Sequence, residues 1–327
     1  QPSALCWRRR KAIVSDGAKQ MAHPEVDAIR ALLLASPRPT TLAERRKRLD
    51  GLGARYAVPP DVRVEPADAN GVPAEWTITP AADPGRVILF LHGGGYISGS
   101  IASHRHMIAQ AGREAGARTL ALGYRLAPEH PYPAALEDAL AAYRYLLERG
   151  FAPGTIAVAG ESAGGGLVIA MLVSLREAGL PLPACTWCSS PWVDLEMSGG
   201  TMTTKAAVDP LIQKPYLHEL AAAYLQGADP RGPMVSPIHA DLHGLPPMLI
   251  QAGSAETLLD DAVRLAGIAG AAEVPTTLRI WPDMIHAWHL FYQQLDGGRQ
   301  ALAEVGAFVR AHLAAASGQA TAASSSL

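Results

Sequence analysis

Six short apolar runs alternate with longer amphipathic stretches through most of this chain, and no other feature restricts its fold as much. The runs are RVILFLH (86–92), RTLALGY (118–124), TIAVAG (155–160), ACTWCSS (184–190), PMLIQAG (247–253) and TTLRIWP (276–282). Most are apolar at successive positions and do not alternate, as strands covered on both faces do. Between and after them lie stretches of helical period, such as PAALEDALAAYRYLLERG (133–150) and GRQALAEVGAFVRAHLAAA (298–316). Strand–helix alternation of this kind predicts an α/β fold with a mostly parallel central sheet flanked by helices.

The flanks follow other rules. VRVEP (62–66) and EWTITP (75–80) alternate like strands with one wet face. Before residue 51 the pattern is helical, in HPEVDAIRALLLA (23–35) and LAERRKRLDGLG (42–53). The rhythm breaks between Trp192 and Pro246, where prolines, Gly199–Gly200 and the helical PYLHELAAAYLQG replace a core strand. The end, SGQATAASSSL from residue 317, reads as a disordered tail.

Of the 327 residues 49% are hydrophobic and 18% charged, enough for a large core, and a net charge of −2 gives no electrostatic reason to expect nucleic acid. No apolar stretch is long enough to span a bilayer. The basic run Arg8–Lys11 has no apolar run after it, so a secretory signal is not expected in this stretch, which reads as a solvated helix end; the expected location is cytoplasmic. Three cysteines cannot build a disulfide framework, and Cys185 and Cys188 form a C-x-x-C inside a strand rather than at a helix start. They read as core residues on opposite faces of the sheet, and no metal site is expected.

GESAG (160–164) is a G-x-S-x-G that follows a strand and opens a helix, the context that gives this pattern its meaning. The glycines allow a strained turn that presents the Ser162 hydroxyl at the positive end of a helix. A serine nucleophile needs a base, and the base an orienting acid. His286, in the loop after TTLRIWP, is the preferred base, with His289 as its rival. Chain order puts the acid between them. Glu256 lies just past PMLIQAG; Asp260, Asp261 and Asp283 are the alternatives. HGGG (92–95), directly after the stiff run ILFL, is bare backbone where an oxyanion would need N–H donors, and Ala163 is the donor expected after the nucleophile.

Together HGGGYISGS, YRLAPEHPYPAAL, GESAGGG, SPWVDL, GSAETLLDDA and DMIHAWHLF occur in one order across residues 87–291. In these motifs the chain resembles the hormone-sensitive-lipase-like family of α/β-hydrolase esterases. The resemblance implies Ser162 as nucleophile, His286 as base and Glu256 as acid. It implies an oxyanion hole from Gly94, Gly95 and Ala163, with Gly93 shaping the loop and His92 and Tyr124 as structural neighbours. It implies a helical cap built from residues 1–50 and from an excursion at about 195–235, a catalytic domain over 51–327, and a homodimer. Many members carry Asp where this chain has Glu161, and Asn where it has Gly166. The expected activity is carboxylesterase action on short-acyl, small-molecule esters, without metal or cofactor. The alternatives are an amidase or deacetylase using the same triad, and a non-catalytic receptor on the same fold.

Overall fold

The computed structural model describes residues 24–35 and 38–314. The Arg8–Lys11 run, Cys6 and the tail from residue 317 lie outside the described residues. The strands are β1 Arg63–Asp68, β2 Pro73–Ile78, β3 Asp83–Leu91, β4 Ala117–Leu122, β5 Ile156–Glu161, β6 Cys185–Ser189, β7 Met248–Gly253 and β8 Thr276–Trp281. The helices are α1 Pro24–Leu34, α2 Leu42–Gly53, α3 Ile101–Ala115, α4 Ala134–Glu148, α5 Ala163–Glu177, α6 Thr201–Thr204, α7 Lys214–Leu225, α8 Leu259–Ala271 and α9 Asp296–His312.

All eight strands form one sheet in the order β1-β2-β4-β3-β5-β6-β7-β8. β2 runs antiparallel to β1 and β4, and every pair from β4 to β8 is parallel. The β1–β2 hairpin turns on Asn70 and Gly71, both at positive φ (58° and 89°), the conformation that two-residue hairpin loops favour.

β3 shows why the apolar runs became buried strands. Side chains alternate across a strand, so Val87, Leu89 and Leu91 join one core and Ile88 and Phe90 the other. The first core is completed by Tyr143 of α4, Leu167 of α5 and Leu265 of α8. The second is completed by Ile29 of α1, Met107 of α3 and Val305 of α9. Cys185 and Cys188 fall into opposite cores, both as free, buried thiols, and burial pushes each thiol up to about 12.

The chain leaves β3 for β4 on one side and then crosses back to lay β5 on the other. Such a reversal opens a crevice beyond the carboxyl ends of the two strands. HGGG follows β3 and Ser162 follows β5, so the two glycine-rich motifs meet at that crevice. Between β6 and β7 the chain leaves the sheet to form α6 and α7. β8 is an edge strand, and Ile280 on it is 45% exposed.

Two helical glycines differ in what surrounds them. A Cβ on Gly306 of α9 would overlap the Glu114 backbone of α3, whereas one on Gly267 of α8 would meet nothing within 4 Å. Gly306→Ala is therefore expected to destabilise the fold by about 1–3 kcal/mol through overpacking. Gly267→Ala is expected to stabilise it by about 0.4–1 kcal/mol by restricting the unfolded chain. Urea unfolding of the two variants beside the parent protein checks both signs.

Candidate active site

Ser162 is the hinge between β5 and α5, with φ 54° and ψ −120°. That backbone is held, not loose. Its N–H donates to the Ser189 carbonyl at 2.9 Å, and its own carbonyl accepts from Gly165, Gly166 and Trp192 N–H groups at 2.9, 3.2 and 2.9 Å. A Cβ on Gly160 would overlap the Gly164 carbonyl, and one on Gly164 would overlap the Leu91 carbonyl. Both glycines are therefore required by backbone crossing, and the turn they permit aims the Ser162 side chain into the crevice.

His286 comes in from the loop after β8. Its Nε2 lies 3.0 Å from Ser162 Oγ, and its Nδ1 lies 2.8 Å from Glu256 Oε2. The other Glu256 oxygen accepts the Gly253 N–H at 2.7 Å. Glu256 is fully buried and His286 is 4% exposed. Burial raises the Glu256 carboxyl pKa, against the pull of its hydrogen bond to His286. At His286 burial acts to lower the pKa, but the Glu256 hydrogen bond and the charges of Glu256, Glu161 and Asp209 prevail and raise it.

The rival residues are engaged elsewhere. His289 bonds Ser189 Oγ and Gln251 Oε1, each at 2.8 Å, and burial lowers it to about 3. Asp260 accepts the Thr201 N–H at 3.0 Å. Asp261 accepts the N–H groups of Val193 and Asp194 at 2.9 and 3.1 Å, and burial raises its carboxyl to about 8. Asp283 faces Ser254 and Arg30 through its backbone. Glu256 and His286 thus converge on Ser162 in one line, and the alternatives do not join it.

The glycine loop closes the site from the β3 side. Gly94 and Gly95 have φ of 119° and 65°, a region L side chains avoid. The Gly94 carbonyl is pinned by Ile97 N, Ser98 N and Ser98 Oγ at 3.4, 3.1 and 2.8 Å. A Cβ on Gly95 would overlap Leu220 of α7. His92 stacks on Tyr124 with ring centres 4.2 Å apart, and Tyr124 donates its hydroxyl proton to the His92 carbonyl at 2.7 Å. Burial lowers His92 to about 3, so it stays neutral. These two residues support the loop and lie behind it.

Two buried groups had no signal in the sequence. Asp209 accepts from Thr257 N and Oγ1 at 2.8 and 3.2 Å, so it fixes the residue next to Glu256. His104 of α3 contacts Glu161 Oε2 through Nε2 at 3.1 Å. Both arise from elements far apart in the chain, and only the folded sheet brings them to the site.

Above Ser162 lies a cavity of about 780 Å³. Its walls include Leu33 of α1, Leu52 of α2, Tyr216 and Leu220 of α7, and Trp192. The N-terminal helices and the excursion after β6 therefore meet over one chamber, whose lining joins these apolar side chains with charged ones such as Arg38, Arg45 and Arg48 and includes Ser162.

Comparison with known proteins agrees with this architecture. A family described by its α/β hydrolase fold matches residues 88–290. An acetyl-hydrolase of Streptomyces hygroscopicus is 46% identical over 89% of this chain and 97% of its own length. The crystal structure of an esterase from the bacterial hormone-sensitive lipase family superposes with a TM-score of 0.88 at 45% identity, covering 90% of this chain and 99% of that one. EstE5, in a crystal soaked with p-nitrophenyl butyrate, gives a TM-score of 0.86 at 44% identity over 90% of this chain and 100% of its own. The chain belongs to the α/β-hydrolase family, among the bacterial hormone-sensitive-lipase-like esterases. It is a carboxylic ester hydrolase. Among the described residues no helix is long and apolar enough to cross a membrane.

Proposed function

We propose that the chain is a serine carboxylesterase for short-acyl esters, working through Ser162, His286 and Glu256. The observation that carries this reading is the unbroken contact line Glu256–His286–Ser162, at 2.8 and 3.0 Å. His286 takes the hydroxyl proton from Ser162 as Oγ attacks the ester carbonyl, then returns it to the leaving alcohol. Glu256 holds the imidazole with Nδ1 protonated, so that Nε2 is the free base. The oxyanion formed on attack is received by the N–H groups of Gly94, Gly95 and Ala163. Water then repeats the sequence on the acyl-enzyme and frees Ser162. A raised His286 pKa has a definite consequence, since the base must be neutral. The acid limb of kcat/KM belongs above the ordinary histidine value of about 6.5.

Glu256→Gln keeps the shape of the acid and removes its charge. We expect it to lower kcat by about 10⁴, as loss of the orienting acid does in a serine protease. Asp283→Asn should change kcat little, and Ser162→Ala should leave almost no turnover in a folded protein. Steady-state kinetics on an aryl ester separates these; a crippled Asp283→Asn beside an active Glu256→Gln would move the acid to Asp283.

The residues over the cavity act as the cap in this reading. α1 and α7 supply mainly apolar walls, and α2 adds Leu49 and Leu52 beside the charged Glu44, Arg45, Lys47 and Arg48, so the apolar part of the cavity suits a short acyl chain. Each methylene that fits is worth about 0.8 kcal/mol of burial. Once the pocket is full, each further one must displace packed side chains at about 1–3 kcal/mol. The preference should therefore rise and then fall as those opposing contributions cross, and the resemblance to the family puts the optimum at roughly butyryl to hexanoyl. The butyrate ester soaked into the EstE5 crystal falls at the lower end of that range, and the Streptomyces relative, an acetyl-hydrolase, acts on a shorter acyl group still. A series of p-nitrophenyl esters kept below their aggregation threshold measures it. A rate that climbs steadily into long chains, with a jump at a lipid interface, would refute the bounded pocket.

A further inference from the structure

The triad uses one carboxylate, yet a second one stands at the opposite nitrogen of the same imidazole. Glu161 Oε1 lies 3.4 Å from His286 Nε2, the nitrogen that faces Ser162. Its side chain is 4% exposed, and Oε1 is buried with no hydrogen-bond partner among the described residues. A buried carboxylate oxygen without a partner is costly and calls for an explanation.

The rest of that side chain is fixed. Oε2 contacts His104 Nε2 at 3.1 Å, and His104 Nδ1 in turn meets Ser103 Oγ at 2.7 Å. On the other side, a Cβ on Gly93 would overlap Oε2, so the bare Gly93 backbone is the space the carboxylate fills. The backbone of Glu161 is held at the end of β5, opposite Ser189 of β6. Nothing in this clamp uses Oε1, and the clamp directs it at His286.

Building on the triad reading, we propose that Glu161 is a second catalytic carboxylate, which stabilises the His286 imidazolium at Nε2 while the proton is in transit. In acylation the Oγ–H bond breaks as Oγ–C forms, and the proton sits on Nε2. It then moves to the leaving alkoxide oxygen as the old C–O bond breaks. During that interval the Nδ1–H has Glu256, and the Nε2–H charge has Glu161. At 3.4 Å the contact is too long to capture the proton and short enough to act on its charge. Deacylation repeats the passage with a proton from water. Glu161 gains and loses no proton in either half.

The charged groups that act on His286 are Glu256 from the loop after β7, Glu161 from β5 and Asp209 from the excursion after β6. His104 on α3 faces it only through Glu161. His92 after β3 and His289 beyond the His286 loop are held neutral by burial. Removing the Glu161 charge leaves the others in place, so the sign of the effect is fixed: the imidazolium loses support and His286 stays neutral to lower pH.

The test is the pH profile of kcat/KM for Glu161→Gln with an uncharged ester. The acid limb should move down by about one pH unit, as loss of an adjacent opposite charge requires. The plateau should fall by up to about ten-fold, because the same charge supports the transition state. Glu161→Asp, which keeps the charge but withdraws it by one methylene, should shift the limb the same way by less. A merely structural role lowers the plateau and leaves the limb where it was, and that result would overturn the proposal. Where activity is too low to profile, the His286 ring signal is titrated by NMR in the Ser162→Ala background, with and without Glu161→Gln. A lower midpoint supports the proposal and an unchanged one refutes it. Failure of the triad reading looks different: Ser162→Ala or His286→Asn would then retain turnover.

Discussion

Two backbone carbonyls occupy the places where side chains at positions 160 and 164 would stand. The Gly164 carbonyl crosses over Gly160, and the Leu91 carbonyl at the end of β3 crosses over Gly164. This contact ties the β5–α5 turn to β3, the strand that delivers the HGGG loop. Ser162 is thereby held at φ 54°, a conformation that a free serine would leave. Everything proposed for the site depends on this fixed point. The imidazole of His286 is placed against it, the glycine loop is placed beside it, and the cavity opens above it.

The electrostatics build on the same frame. A fully buried carboxylate such as Glu256 is costly unless its charge is met. The Gly253 N–H and His286 meet it at 2.7 and 2.8 Å. Its burial has a second effect, since a hydrogen bond shielded from water is electrostatically stronger. The site therefore concentrates acidic charge around one imidazole, from Glu256, Glu161 and Asp209. On the proposed mechanism that charge has to support an imidazolium that exists only in passing, which is the form of preorganisation that lowers a barrier.

Local chemistry made much of this legible in the sequence. The parallel core strands were readable because β3, β5, β6 and β7 bury residues on both faces and so lose the alternation of a one-sided strand. β8 was read as a strand with the others, although it differs from them in having no buried position and only β7 as a neighbour among the described strands. Ser162 was readable because the strained turn needs glycines at fixed spacing. Glu256 and His286 were readable less directly, through their position just after strands, and rivals such as Asp283 and His289 shared that position. His104 and Asp209 were not readable. Each sits on an element whose local pattern is satisfied without it, and its contact spans 57 residues for His104–Glu161 and 48 for Asp209–Thr257. Glu161 was visible as a departure from the usual Asp, but its reach to His286 depends on space left by Gly93, which only the folded loop reveals.

The measurement that bears most directly on the proposed chemistry is acid quenching during turnover of a p-nitrophenyl ester, followed by peptide mass spectrometry. The acyl group should be found on the peptide containing Ser162, at that residue alone, and should be absent from Ser162→Ala treated in the same way. Acyl label on another side chain, or full turnover in Ser162→Ala with no covalent species, would contradict a mechanism built on that serine.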